Sequence, residues 1–353
     1  MPITVTAPAL LGTALLLALG FHRNRAVQLF AVLLAMSLAL PTGDARLLEG
    51  ALRFGPWLLA AAALLPEPGM LSRRNALFVL AFVSAVGLVT SAPAHVYSGL
   101  ASVSAWLTFG LPAPRAAGLL AGIGSLLCLW RWAMTGRPME LGLVVVLALA
   151  ALACVHAPSP RTSALLVACG GCAILAVLYA SYRMAFIDGL TGLPNRRALD
   201  EALMRLSGGY ALAMVDVDHF KQFNDTHGHD AGDIVLRTVG RTLRRNIGGH
   251  AYRYGGEEFC VVFEGARSQG AQEGCERARQ AVAELKISIP AQTKRVRRDA
   301  KVKRDHRIDV GVTVSVGCAA RGSDRRGASE VLRAADQALY KAKAKGRNRV
   351  VTA

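Results

Sequence analysis

Residues 251–265 read AYRYGGEEFCVVFEG. Two apolar-rich runs, Ala251 to Tyr254 and Phe259 to Phe263, flank a Gly-Gly pair. That pattern predicts a β-hairpin, because glycine supplies positive φ without steric penalty. Glu257 and Glu258 stand at the turn itself. A plain solvated turn carries such residues too, but two carboxylates beside bare backbone N–H groups also suit a cation and a phosphate. The neighbouring sequence decides between these readings.

Upstream, YALAMVDVD at 210–218 reads as a buried strand that ends in Asp216 and Asp218. A helix is expected within 188–206, after the turn Asp188–Gly192. GDIVLRTVGRTLRRNI then places Leu236, Val239, Leu243 and Ile247 on one helical face. AQEGCERARQAVAEL is a second amphipathic helix, and VGVTVSVGCA at 310–319 an alternating strand. A last helix over 328–344 and a short NRVV strand close the chain. The order β-α-β-β-α-β predicts an α+β, ferredoxin-like sheet with helices on one face. In that topology the first strand neighbours the hairpin, which brings Asp216 and Asp218 near Glu257 and Glu258. Carboxylates gathered from separate elements repel unless a divalent cation neutralises them. Such an arrangement suits metal-assisted nucleotidyl transfer.

The first half has a different composition. The chain has 353 residues, 53% of them hydrophobic, and a mean hydropathy of +0.35. Up to residue 182 it holds ten Arg, no Lys and four acids (Asp44, Glu49, Glu67 and Glu140). After that point 31 Lys and Arg face 20 Asp and Glu. Apolar runs near 3–21, 26–41, 50–65, 76–92, 116–132, 141–157 and 163–181 approach the ~20 helical residues that a bilayer core needs. The stretch 93–114 is an eighth span or an interfacial segment. The reading is therefore an all-α polytopic membrane bundle over 1–182, of about seven spans (six to eight), followed by a second domain over 183–353. Arginine counts in the short loops favour a cytoplasmic second domain, six inside (Arg23, Arg25, Arg73, Arg74, Arg131 and Arg137) against four outside. About six residues separate Tyr182 from Asp188, so the helix over 163–187 is expected to run unbroken. Seven scattered cysteines give no disulfide framework. The CGGC at 169–172 has redox spacing inside a span, where small residues also permit close helix packing.

GGEEF at 255–259 is similar to the signature of GGDEF-domain diguanylate cyclases, with Glu in the third position. DGLTGLPNRR (188–197), DVDHFKQFNDTHGHDAGD (216–233) and ADQALYKAKAKGRNRV (335–350) resemble the same family, in order and over the second half only. The resemblance implies one GTP per subunit and two subunits meeting as an antiparallel homodimer. Two GTP would condense into cyclic di-GMP with release of diphosphate. It implies Mg²⁺ or Mn²⁺ held by Asp216, the Val217 carbonyl, Glu257 and Glu258, with Glu257 accepting the hydroxyl proton. Gly255 and Gly256 would let the backbone approach the phosphates. Asn224 and Asp233 would read the base, with His229 near sugar or base. The amides around Phe220 and the side chains of Lys221, Lys343 and Arg347 would hold the triphosphate. The apolar runs and loop arginines, not the resemblance, make the expectation a multi-pass protein of a bacterial inner membrane in contact with the lipid bilayer, and no nucleic-acid partner is expected.

Blander readings stand beside these. Asp233 suits a helix N-cap, the His227/His229 pair could suggest a metal, and Arg253, Asp188, Asn195 and Arg196 look structural. The sequence also departs from the family. Members restrained by their product carry Arg-x-x-Asp, and here those positions are Asn246 and Gly249. No product-inhibition site is expected there. The basic link within 286–309, densest at 294–307, reads as a solvated loop or a lipid-facing segment. Two other function classes compete: a membrane receptor with a catalytically silent GTP-binding or docking domain, and a transporter with a regulatory appendage. The intact set Asp216, Glu257 and Glu258 argues against the first, and the scarcity of ionisable residues in the spans against the second.

Overall fold

The computed structural model describes residues 3–39, 42, 44–64, 72–290, 307–322 and 327–353. The chain divides into two units, Met1–Tyr182 and Arg183–Ala353. Within the first lie α1 (Ile3–Gly20), α2 (Asn24–Ala39), α3 (Ala45–Leu64), α4 (Arg73–Ser91), α5 (Ala94–Leu107), α6 (Ala113–Thr135) and α7 (Pro138–Val155). The last helix to begin there is α8 (Pro160–Phe186). Helix is the state in which an apolar segment satisfies its own backbone groups. Local chemistry sets the ends: Ser72 Oγ accepts from the Asn75 amide to start α4, and Gly136, at φ +62°, stops α6 in the left-handed region.

Five of these helices, α3, α4, α6, α7 and α8, are long and apolar enough to cross a membrane. α1 and α2 supply shorter apolar helices. The stretch 93–114 holds α5, 14 residues long, with Trp106 exposed on it and Phe109 exposed just beyond its end. Small residues set the packing. A Cβ on Gly170 would sit 2.6 Å from Leu10 Cβ, so the CGGC segment has a glycine where α8 approaches α1. Cys169 is buried there with its Sγ on the Val146 carbonyl at 3.5 Å.

The second unit contains α9 (Arg196–Arg205), β1 (Tyr210–Val217), α10 (Phe220–His227), α11 (His229–Asn246), β2 (His250–Arg253) and β3 (Glu258–Glu264). It continues with α12 (Ala271–Ala283), β4 (Ile287–Pro290), β5 (Arg307–Val310), β6 (Val314–Ala320), α13 (Ala328–Ala344) and β7 (Val350–Thr352). The main sheet has the order β2-β3-β1-β6-β7. β1 pairs antiparallel with both β3 and β6, and β7 runs parallel to β6.

Two expectations need correction. Helices cover both faces of the sheet. Ala211, Ala213, Val215 and Val217 face the core shared with α11 and α12, while Tyr210, Leu212 and Met214 face Leu199 of α9 and Val331, Ala335 and Leu339 of α13. β1 is apolar at every position up to Asp216 because both its faces are buried. The single strand read at 310–319 is two elements. Arg307–Val310 pairs with β4 in a separate ribbon, and only Val314–Ala320 joins the main sheet. Alternation reports which face a side chain takes, not which strand it pairs with. The basic link at 294–307 falls, except for Arg307, outside the described residues.

Two close contacts hold this unit together around its working end. Gly317 of β6 lies so near α13 that a Cβ would collide with the Leu339 amide and the Ala335 carbonyl. Asp188 closes the turn before α9 by accepting from the Thr191 amide at 2.8 Å and hydroxyl at 2.7 Å. It also takes Arg253 Nη1 at 2.9 and 3.0 Å. The same guanidinium donates to the Gly255 carbonyl at 3.2 Å and the Gly256 carbonyl at 2.8 Å, which braces the hairpin turn. Burial pushes the Asp188 carboxyl up, but Thr191 and Arg253 together outweigh it and hold it below its ordinary value.

These contacts give two expectations for unfolding of the second unit. Gly317→Ala should destabilise it by about 3 kcal/mol, since the obstruction is backbone and cannot rotate away. Asp188→Asn should destabilise it by about 2 kcal/mol at neutral pH. A depressed carboxyl stabilises above its unfolded value of about 4 and loses that contribution as pH falls through its folded value. The gap between wild type and Asp188→Asn should therefore close below about pH 4. Urea titrations at pH 7 and pH 3 measure both effects, and a gap undiminished at pH 3 would contradict the ionic account.

Candidate active site

The end of β1 and the β2–β3 hairpin meet by register. Asp216 lies opposite Glu258, and the Val217 amide donates to the Glu257 carbonyl at 3.3 Å. Three carboxylates, from the end of β1, the hairpin turn and the start of β3, are thereby drawn to one end of the sheet. α13 supplies the counter-charge, with Lys343 Nζ 2.8 Å from Asp216 Oδ2. Burial still pushes the Asp216 carboxyl up. Lys343 and Arg347 oppose that shift and Asp218 adds to it. Glu257 is raised by burial first and then by the charge of Asp216 and Glu258, with Lys343 opposing. Among the described residues no group of three or more His, Cys, Asp or Glu is assembled as a metal site.

The glycines of the turn do not take the conformation expected of them. Neither Gly255 nor Gly256 is among the glycines at positive φ. A Cβ on Gly255 would sit 2.8 Å from Glu258 Oε2, the movable end of a flexible side chain. Gly256 faces open space: a Cβ there would meet nothing within 4 Å. That space lies directly before Glu257.

The remaining expected residues fall along α10 and α11. His219, at φ +57°, turns the chain out of β1 and starts α10 at Phe220, which is buried and stacks on Phe223 with centroids 6.4 Å apart. Lys221 is exposed on the next residue. Asn224 Oδ1 is buried and has no hydrogen-bond partner among the described residues. A Cβ on Gly232 would collide with that oxygen. Asp233 lies one residue on, half-exposed, with Oδ2 a loose 3.8 Å from Arg237 Nη2. It is not the N-cap of its helix, because α11 begins at His229 after Gly228. His229 is exposed, and the His227 ring rests against Phe223 at 4.7 Å. Arg347, at φ +62°, follows α13, and its charge reaches Asp216.

Asp218 has a part that the sequence reading did not give it. Its carboxylate accepts from Thr313 Oγ1 at 2.7 Å, Ser315 Oγ at 2.6 Å and the Asn348 amide at 3.1 Å. These donors tie β1 to β6 and to the loop carrying Arg347. The available signal was Ser315, a polar residue inside an apolar strand that proves 0% exposed. At the two positions of the missing Arg-x-x-Asp pair, Asn246 is exposed and donates to the Thr242 carbonyl at 2.9 Å. Gly249 has no room for a side chain: a Cβ would lie 2.8 Å from the Val262 carbonyl oxygen.

Comparison with known proteins adds a family match for the second unit. Residues 185–349 match the family described as Diguanylate cyclase, GGDEF domain. Diguanylate cyclase DgcP of Pseudomonas aeruginosa is 35% identical over 178 residues, which covers 48% of this chain and 24% of that protein. Diguanylate cyclase A of Treponema denticola is 38% identical over 143 residues, covering 40% of this chain and 34% of that protein. The crystal structure of the coiled coil and GGDEF domain of DgcB from Caulobacter crescentus, in complex with c-di-GMP, is 34% identical. It covers 50% of this chain and 90% of its own, with a TM-score of 0.43. The chain thus spans 24% and 34% of the length of the two curated relatives. Residues 185–349 are a GGDEF domain.

Proposed function

We propose that this chain is a diguanylate cyclase, condensing two GTP into cyclic di-GMP and two diphosphate, with its first unit embedded in a bacterial inner membrane and its second in the cytoplasm. The observation that carries the reading is the gathering of Asp216, Glu257 and Glu258 at one end of the sheet, with Lys343 as their counter-charge. The donors are hard oxygens, which fit Mg²⁺ or Mn²⁺, and Asp216, the Val217 carbonyl, Glu257 and Glu258 would hold it. Bound there, the ion would offset carboxylate and phosphate charge and favour ionisation of the attacking hydroxyl.

The chain's own residues supply the rest. Glu257 accepts the proton of a GTP 3′-hydroxyl as that oxygen bonds to the α-phosphorus of the second GTP. The bond from that phosphorus to the α–β bridging oxygen breaks and diphosphate leaves. Burial and then the charge of Asp216 raise the Glu257 carboxyl, and a cation held beside it would counter that shift and keep it ionised to accept the proton. Lys343, Arg347, Lys221 and the amides at Phe220 counter the triphosphate charge. The space beside Gly256 admits the phosphates close to the backbone. Asn224 Oδ1, left without a partner, accepts from the guanine amine, and Asp233 takes the N1–H and amine edge. Adenine offers neither donor in that pattern. His229 stands where it can meet sugar or base. One GTP per subunit requires two subunits face to face, hence a homodimer through the second unit.

Three outcomes follow for the purified full chain incubated with labelled GTP and Mg²⁺. Glu257→Gln and Asp216→Asn should each lose about a thousandfold or more in kcat, as removal of a charged transition-state contact does. Asn224→Ala should raise KM for GTP by about tenfold, through loss of one hydrogen bond to the base. Near wild-type turnover in Glu257→Gln would overturn the site. Added cyclic di-GMP at low micromolar levels should not inhibit, because Asn246 and Gly249 lack the charged pair and its absence costs about a hundredfold in affinity. Strong non-competitive inhibition would show that another surface binds product.

A further inference from the structure

Between α13 and β7 the chain makes a turn in which Gly346, Arg347 and Asn348 stand in succession at φ +101°, +62° and +43°. Glycine takes that left-handed region freely. Arg347 and Asn348 do not, so they persist there only where neighbours hold them. Asn348 is held at two points. Its amide donates to Asp218 Oδ2 at 3.1 Å, and its Oδ1 accepts from Arg279 Nη1 at 2.7 Å. The first contact comes from the end of β1, beside the carboxylate cluster. The second comes from α12, which carries none of the residues assigned to the site.

The Arg279 guanidinium is itself fixed. Its Nε donates to Glu276 Oε1 and Oε2 at 3.0 and 2.9 Å, and its Nη2 to Oε1 at 2.5 Å. Glu276 also accepts from Gln280 Nε2 at 3.2 Å. Hydrogen bonds from Arg279 hold the Glu276 carboxyl below its ordinary value against the opposing effect of burial, so the pair stays charged at neutral pH. One turn of α12 thus orients the planar fork before it meets Asn348, and little side-chain freedom is left to lose in making that bond. Asn348 directly follows Arg347, whose charge reaches Asp216. What fixes Asn348 therefore fixes the backbone from which the Arg347 side chain projects.

We propose that Arg279, oriented by Glu276, is a positioning residue for GTP binding: through Asn348 it holds the turn at 346–348 so that Arg347 meets the triphosphate. Arg279 itself touches no substrate. The inference rests on the functional reading above, in which Arg347 counters the triphosphate charge. Asp218 braces the same residue through its amide, and Arg279 completes the hold through its side chain.

The test is equilibrium binding of α,β-methylene GTP to the purified full chain with Mg²⁺. The carbon bridge of that analogue blocks release of diphosphate, so affinity is read without turnover. Arg279→Met, which keeps the stem and removes the donors, should weaken binding about fivefold, the worth of one hydrogen bond. In an Arg347→Ala background the same substitution should add nothing, because its effect passes through Arg347. A residue that merely supported the fold would weaken both backgrounds alike. Asn348 is exposed and glycine keeps its positive φ, so Asn348→Gly reads the same contact should Arg279→Met fail to fold. It should show the same loss and the same dependence on Arg347. Unchanged affinity in these variants, or a loss repeated in full on Arg347→Ala, would overturn the proposal. An unsubstituted chain that failed to bind the analogue at all would overturn the functional reading and this inference with it.

Discussion

Like charges are held together at the edge of the second unit because the backbone leaves them no alternative. The β1–β3 register sets Asp216 against Glu258, and the Val217 amide fixes the Glu257 carbonyl one step beyond. That register is specified by burial: a slip of one residue would exchange the two apolar faces of β1, each already committed to its own helices. The core thus stabilises an arrangement that electrostatics alone would disperse. Lys343 on Asp216 supplies the positive charge the cluster needs. Asp218 and Arg253 fix the surrounding backbone, one through the loop before β7 and the other through the carbonyls of the hairpin turn.

Burial and charge divide the labour between neighbouring acids. Asp216 and Asp218 are two residues apart and both buried. Asp218 is saturated by two hydroxyls and an amide, so it is a structural brace. Asp216 has one ammonium group within ion-pair distance and a raised carboxyl, which leaves it able to exchange partners. Asn224, a neutral group, differs: its unpaired oxygen is buried against residue 232, where only glycine leaves room for it.

How much of this was legible varies by element. The apolar strand at 210–217 and the acids at its end declare themselves by composition. So does the hairpin, because two apolar runs around a Gly-Gly pair have few other ways to fold. The second helical layer did not, since α9 and α13 read as terminal additions until Leu199 and Leu339 are seen under the even-numbered residues of β1. The split at Gly311–Thr313 was hidden because apolar alternation continues straight through a change of pairing partner. In the site, the gathered carboxylates follow from topology. The orphaned Asn224 oxygen, the Arg253 brace and the crowding of Glu258 over Gly255 depend on side-chain placement that no spacing rule encodes. In the first unit the apolar runs are plain, whereas the buried Arg25–Glu140 ion pair joins residues 115 apart in sequence.

The central claim is that the clustered carboxylates and the Asn224–Asp233 pair make the second unit a guanine-specific condensing enzyme. Its most direct test is the stoichiometry of a single incubation of the purified full chain with Mg²⁺ and an equimolar mixture of GTP and ATP, with products separated by chromatography. The account predicts two GTP consumed and two diphosphate released for each cyclic di-GMP formed, with ATP left intact. Orthophosphate and GDP as the main products, or equal consumption of ATP, would contradict it.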